Sequence, residues 1–243
     1  TQASGGTINM SSAGSSTAFS LNWGNGDDDL TGDSGDDIIT GGGGSDNLTG
    51  GAGNDTFNVT AGNDTITGGA NNDNLTGGVG DDTFKVDSGT DTVTDLTTGD
   101  DLVVSSGAIA NATNISDFVA DSDTINSGTA TLTAISSGGT IDLTSAGGST
   151  AYTIVSGAGT DTLKGDDGND TFTISAAEFT PSTGEMKMTI GDHDLRAGHS
   201  IRLAKESIVF TCFLDAHNST HAYPRSNGCL LYTSDAADEE DSV

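Results

Sequence analysis

Residues 41–58 read GGGGSDNLT GGAGNDTFN, and residues 77–85 read GGVGDDTFK. Each nine-residue unit opens on glycines, carries aspartate in sixth place and a large apolar residue in eighth. Extended in both directions without insertion, this register divides Trp23 to Val103 into nine consecutive nonapeptides. The sixth residue is always aspartate: Asp28, Asp37, Asp46, Asp55, Asp64, Asp73, Asp82, Asp91 and Asp100. The eighth is always apolar: Leu30, Ile39, Leu48, Phe57, Ile66, Leu75, Phe84, Val93 and Leu102. A register kept this long marks a repeat architecture, in which a unit buries its apolar side by stacking on its neighbours. A solvated low-complexity linker would not need an apolar residue on schedule.

A second array follows at 156–173, where SGAGTDTLK and GDDGNDTFT supply Asp161, Asp170, Leu163 and Phe172. Aligning Gly5 to Asp37 with Gly138 to Asp170, an offset of 133, matches 18 of 33 residues, so one module occurs twice. The expected organisation is lead-in or capping coils at 1–22, the main array at 23–103, a connector at 104–137 and the second copy at 138–173. A small module at 174–228 and a tail at 229–243 complete it. Within the connector, GTATLTAIS at 128–136 alternates like a strand. From about Ile174 Phe, Met, His, Lys and Arg appear, and EMKMTIG and SIVFTCFL suggest antiparallel strands.

The chain has 36 Gly, 36 acidic residues and only 5% aromatics, far from the composition of a conventional core. Residues 1–173 hold 25 Asp, no Glu and two bases, Lys85 and Lys164, a balance of about −23; residues 174–228 hold six acids and five bases. Without a basic surface to neutralise phosphates, nucleic acid is disfavoured as a partner. No apolar run approaches the roughly 20 residues of a membrane-spanning helix, and no signal-peptide layout stands near Thr1. Starting on Thr1 rather than Met, the amino terminus reads as truncated or processed. HExxH, GxSxG and GxxxxGK[ST] are all absent, so the expectation is a protein that is not an enzyme.

The pattern GGxGxDxUx, with U a large apolar residue, resembles the RTX nonapeptide of secreted calcium-binding proteins, over about 100 residues of this chain. The resemblance implies an all-β fold, a right-handed parallel β-roll in which six residues turn around a calcium ion, three form a strand, and two nonapeptides make a coil. A small antiparallel β module would follow it. Alternate aspartates then line opposite edges: Asp28, Asp46, Asp64, Asp82 and Asp100 on one, Asp37, Asp55, Asp73 and Asp91 on the other. Several Ca2+ ions, at most about seven in the first array, would sit between consecutive turns. The ligands implied are these aspartates with Asp161 and Asp170, and backbone carbonyls around Gly35, Gly41, Gly42, Gly44, Gly50, Gly51, Gly53, Gly68, Gly69, Gly77, Gly78 and Gly80.

The chemistry agrees with that assignment. Glycine permits the left-handed or crowded backbone of such turns. Calcium takes several oxygen ligands at roughly 2.3 to 2.6 Å, and the short aspartate keeps its carboxylate beside the turn carbonyls. Without metal, same-side carboxylates in strands about 4.8 Å apart would repel by roughly 3 kcal/mol per pair at an effective dielectric near 20. The metal-free array is therefore expected to be largely unfolded, with calcium as its folding cofactor. Units 59–67 and 86–94 begin with Val, Asn71 replaces a glycine, and 95–103 keeps little but its Asp and Leu, which lowers the number of complete sites.

The resemblance also implies secretion or a cell-surface place, as in an adhesin or surface-layer component, and calcium affinities of about 10⁻⁴ to 10⁻³ M suit such modules. A fragment of a secreted enzyme is a further alternative. The stretch from Ala177 to Arg225 resembles a small module of marine tailed-phage structural proteins, which implies a virion alternative with virion components as partners. All four histidines lie there. His217 and His221, with His193, His199 or Cys212, could approach a transition metal, although surface positions and a turn at Pro224 are the simpler reading. CLLYTSDAADE from Cys229 to Glu239 resembles a translated sequencing adapter and is set aside.

Overall fold

The computed structural model describes residues 5–13, 16–159 and 161–173, together with the strands Ile208–Thr211 and Thr220–Tyr223. Its local logic is set by one tripeptide per nonapeptide. In Asn47-Leu48-Thr49 the two polar residues face outward while Leu48 is buried, the period-two alternation of a strand with one wet face. The glycine-rich turn then reverses the chain, and the next unit delivers its own apolar residue from the opposite side.

Two parallel sheets result. One has eight strands: Thr7–Asn9, Asp29–Thr31, Asn47–Ala52, Thr65–Ala70, Thr83–Val86, Asp101–Val104, Ile125–Asn126 and Gly147–Gly148. The other has nine: Ser20–Asn22, Ile38–Thr40, Thr56–Phe57, Asn74–Leu75, Thr90–Val93, Ile109–Ile115, Thr129–Ala134, Tyr152–Val155 and Thr171–Thr173. Successive strands in the chain alternate between them, so the molecule is an all-β, parallel β-solenoid of about nine turns, with no helix among the described residues. Leu30, Leu48, Ile66, Phe84 and Leu102 pair in one column. Leu21, Ile39, Phe57, Leu75 and Val93 fill the facing sheet, and all ten are buried. Val59 and Val86, which stand where other units have their first glycine, are buried with them.

Residues 104–137, read as a connector from their composition, continue the stack. Val103 pairs with Ile125 and Ile125 with Gly147, while Thr90 pairs with Ile109, Ile109 with Thr129 and Ala130 with Tyr152. The expected strand at 128–136 is Thr129–Ala134. The first of these steps spans 22 residues rather than 18, and the extra length forms a third sheet of Asp117–Val119, Thr140–Asp142 and Thr162–Lys164. A register shift between Ala112 and Ile115 with Asn114 at φ 60° breaks the ladder where the chain leaves the second sheet for the third, the bend expected of a bulge. The added interior takes Phe118, Ile141, Leu143 and Leu163. Low charge here reflects an apolar filling without carboxylate rows.

Ile208–Thr211 and Thr220–Tyr223 pair antiparallel, in the stretch where alternation suggested such strands, and belong to a separate unit of the chain. The remainder of 174–228, including His193, His199, His217 and Cys212, and the tail 229–243 lie outside the described residues.

Candidate metal centres along two carboxylate rows

The sixth-position aspartates fall into two ladders with an 18-residue step. In the first, Oδ1 of Asp46, Asp64, Asp82 and Asp100 accepts the backbone N–H of Asp28, Asp46, Asp64 and Asp82 at 2.7 to 2.9 Å. Oδ1 of Asp28 takes the N–H of Gly6 at 2.7 Å. In the second, Oδ1 of Asp55, Asp73 and Asp91 accepts from Asp37, Asp55 and Asp73 at 2.7 to 3.0 Å, and Asp37 accepts from Phe19 at 2.8 Å. The alternation inferred from two units per coil is thus the alternation found.

The second carboxylate oxygen behaves differently. Oδ2 of Asp28, Asp46 and Asp64 in one row, and of Asp55, Asp73 and Asp91 in the other, is buried without a hydrogen-bond partner. Buried polar atoms are bonded in the great majority of cases, and a buried charge without a counter-charge costs several kcal/mol. In the units of the first array that open on glycine, Oδ2 of the sixth-position aspartate lies over that first glycine. A Cβ on Gly41 or Gly77 would collide with Oδ2 of Asp46 or Asp82. One on Gly32 would strike both Asp37 Oδ2 and the carbonyl of Gly50, and one on Gly50 both Asp55 Oδ2 and the carbonyl of Gly68. At Gly68 the oxygens Oδ2 of Asp73 and Asp91, from successive coils, converge on the same point. Carboxylate and carbonyl oxygens gathered in a space kept open by missing side chains are the donor set of a hard divalent cation, so the residues present fit calcium.

Burial is the main influence on these groups. It raises Asp55, Asp73 and Asp82 from 3.8 to about 7, and Asp46 and Asp91 to about 6, against the lowering effect of the amide bonds and with help from neighbouring carboxylates. Asp64 and Asp100 are also raised, chiefly by burial. The long coils offer a control. Asn126 is fully buried, its Nδ2 donates to the carbonyls of Thr150 and Ala151, and its Oδ1 accepts from Gly128, all at 3.1 Å. Where no row exists the buried side chain is a neutral amide with its needs met internally.

In the second copy Gly139 donates to Asp161 Oδ1 and Tyr152 to Asp170 Oδ1, both at 2.8 Å, repeating Gly6 with Asp28 and Phe19 with Asp37. Of the carbonyls expected as ligands, Gly42 accepts from the amides of Thr60 and Ala61 and Gly69 from Ser88, so those two are engaged by the next coil. Gly44, Gly53 and Gly80 adopt φ of 122°, 122° and 149°, the left-handed side that glycine allows; Asn71, in the same place, sits at 80°. Gly35, Gly51 and Gly78 lie in the same turns, packed against the preceding coil.

Sequence reasoning missed the fifth position. Asp27 accepts from the amide of Ser45, Asp36 from Asn54, Asn54 from Asn72, Asn63 from Asp81 and Asn72 from Thr90, at 2.7 to 3.2 Å. This exposed ladder runs opposite to the aspartate ladder, since each side chain bonds the coil that follows it. Its signal was present as Asp, Ser, Asn or Thr at the fifth place of the first eight units but looked like ordinary turn polarity. Also unanticipated, Asp95 takes the amides of Gly77 and Gly78 at 3.1 and 2.7 Å and closes the first row. Asp101, Asp121 and Asp123 bring carboxylate oxygens within 4.8 Å of one another, with no buried, unpartnered oxygen among them.

Fold and rows together define a calcium-binding β-solenoid. The family described as RTX calcium-binding nonapeptide repeat (4 copies) matches residues 24–57, 58–93 and 147–173, so these stretches are RTX repeats, which imply calcium binding in a β-roll. No curated protein and no solved structure matches the chain.

Proposed function

We propose that the chain is a calcium-folded, non-catalytic structural module of a secreted or cell-surface protein of the adhesin or surface-layer kind. The observation that carries this is the pair of buried rows in which Oδ2 of Asp28, Asp46, Asp64, Asp55, Asp73 and Asp91 has no hydrogen-bond partner. Calcium held between consecutive turns by Asp28, Asp46, Asp64, Asp82 and Asp100, and by Asp37, Asp55, Asp73 and Asp91, would supply the missing positive charge. Asp161 and Asp170 would serve the second copy. The protein's own part is to hold each Oδ1 with an amide of the preceding coil, which leaves Oδ2 aimed into the turn, and to keep the space open with glycine.

Metal would then act on folding rather than on a reaction. A chain with unfilled rows is opposed by its own stacked charge, and filling them links coil to coil. Millimolar calcium outside cells and scarce free calcium inside them would make such a module rigid only after export. Circular dichroism of the chain during a calcium titration tests this: β structure should rise toward millimolar calcium, and magnesium, which demands a stricter octahedral shell, should not replace it. A spectrum and melting point indifferent to a chelator would sink the reading.

A further inference from the structure

We propose that Asp33 is an additional calcium ligand, making the first gap of the second row more highly charged than the nonapeptide alone would build it; the inference rests on calcium filling the rows. Asp33 stands second in unit 32–40, where units 41–49, 50–58, 68–76 and 77–85 all have glycine. In those units the glycine is left-handed, as at Gly42 and Gly51 with φ of 101° and 116°, and Asp33 is not. Thr60 and Asp87, which hold the same place in units 59–67 and 86–94, are likewise not left-handed but are exposed, so Asp33 is the second-position carboxylate of the first array that its turn seats inside.

That carboxylate is inside the protein. Asp33 is 6% exposed, its Oδ1 accepts the amide of Gly35 at 2.9 Å, and its Oδ2 is buried without a partner. Its backbone ties it into the row on both sides. The N–H of Asp33 donates to Asp37 Oδ2 at 2.9 Å, and its carbonyl accepts from Ala52 at 2.9 Å, in the turn whose Asp55 Oδ2 is likewise buried and unpartnered. Among the described residues no ion pair answers this charge: Lys85 and Lys164 are their only Lys or Arg, and Lys164 is paired with Asp142 at 2.8 Å. A buried carboxylate needs a counter-charge, and the donor set beside it is that of a hard cation.

The same device occurs at the matching place in the second copy. In GDDGND, 133 residues further on, Asp166 Oδ1 accepts the amide of Gly168 at 2.7 Å, four residues before Asp170. Both copies thus place a carboxylate at second position in the second nonapeptide after the lead-in coil. Extra carboxylate charge is the means by which oxygen-ligand sites gain calcium affinity, so the gap of Asp33, Asp37 and Asp55 is the tight end of the second row and anchors the array to Thr17–Phe19.

Calorimetric titration of the full chain with calcium, comparing wild type, Asp33→Asn, Asp33→Gly and Asp36→Asn, decides the matter. Asparagine keeps the shape and the bond to Gly35, and glycine restores what the other turns carry. Both should weaken the tightest class of sites about tenfold, while retaining the wild-type circular dichroism spectrum in saturating calcium. Asp36→Asn, which removes an equal charge from the exposed side of the same turn, should leave that class unchanged. If Asp33→Asn and Asp33→Gly titrate as wild type, or Asp36→Asn weakens binding equally, Asp33 is not a ligand. A wild type that binds no calcium would instead overturn the function proposed above.

Discussion

Asp55 Oδ1 accepts the backbone N–H of Asp37 at 2.7 Å, whereas Asp55 Oδ2 is buried with no hydrogen-bond partner. One carboxylate thus performs two tasks, fastening its coil to the preceding one and presenting an unsatisfied oxygen to the space between them. The first task is complete within the protein. The second requires something from outside it.

The pH dependence of the metal-free chain should be inverted relative to most acid-rich proteins. Burial holds Asp55, Asp73 and Asp82 at about 7 and Asp46 and Asp91 at about 6 in the fold, against about 4 when unfolded. Between roughly pH 4 and 7 the folded state therefore binds more protons, so its stability falls as pH rises through that window and levels off above it. In calcium-free buffer the melting temperature should be higher at pH 5 than at pH 7.5. Because protons and calcium compete, the calcium midpoint should drop between pH 5 and 7 and then flatten. Identical melts at the two pH values would refute the inversion.

Position along the rows should matter. Asp55→Ala or Asp73→Ala deprives an interior coil of its tie to Asp37 or Asp55 and of a buried oxygen shared by two gaps. Asp28 bonds Gly6 of the lead-in coil at the margin of the array. Both interior changes should raise the calcium midpoint more than Asp28→Ala, by about tenfold in a circular dichroism titration. Equal shifts at the three sites would argue against stacked, shared gaps.

Glycine should be required by place. Gly50→Ala puts a methyl group against Asp55 Oδ2 and the Gly68 carbonyl, whereas a Cβ at Gly43 would meet nothing closer than the Ala61 carbonyl at 3.6 Å. Units 50–58, 59–67 and 68–76 already carry Ala52, Ala61 and Ala70 in that third place. Gly43→Ala is expected to be neutral or stabilising by about 0.4 to 1 kcal/mol. Gly50→Ala should weaken calcium binding in calorimetry.

The apolar columns set the other half of stability. Phe57, fully buried between Ile39 and Leu75 in the second sheet, should cost about 3 to 5 kcal/mol on change to Ala when unfolding is followed in urea at saturating calcium. Val79→Ser, at a side chain 76% exposed, should stay within about 0.5 kcal/mol.

Hydrogen exchange should separate the two kinds of coil. Residues 108–155 fill their interior with Ala110, Ala112, Leu132, Phe118 and Ile154 and have Asn126 satisfied internally. Without calcium their amides should remain better protected than those of 41–91, where the carboxylate rows lie. Uniform loss of protection along the solenoid would contradict this division.

Taken alone, the sequence determined whatever repeats within nine residues: the Asp and apolar register, the glycine turns, the all-β character, and, through the family resemblance, the split of Asp28, Asp46 and Asp64 from Asp37, Asp55 and Asp73. These features are legible because each nonapeptide solves the same local problem, a tight turn followed by a half-buried strand. Tertiary structure decided what depends on a partner a whole coil away. It made 104–137 part of the stack although its alanines and threonines look like a spacer, since Ile109 finds Thr90 only after the chain has gone round. It also decided which oxygen of each carboxylate an amide satisfies, that Asp33 is turned inward, and that fifth-position side chains such as Asn54 form a ladder. Hydrogen bonds between stacked coils join residues 17 or more apart, and no short window of sequence states which donor will arrive.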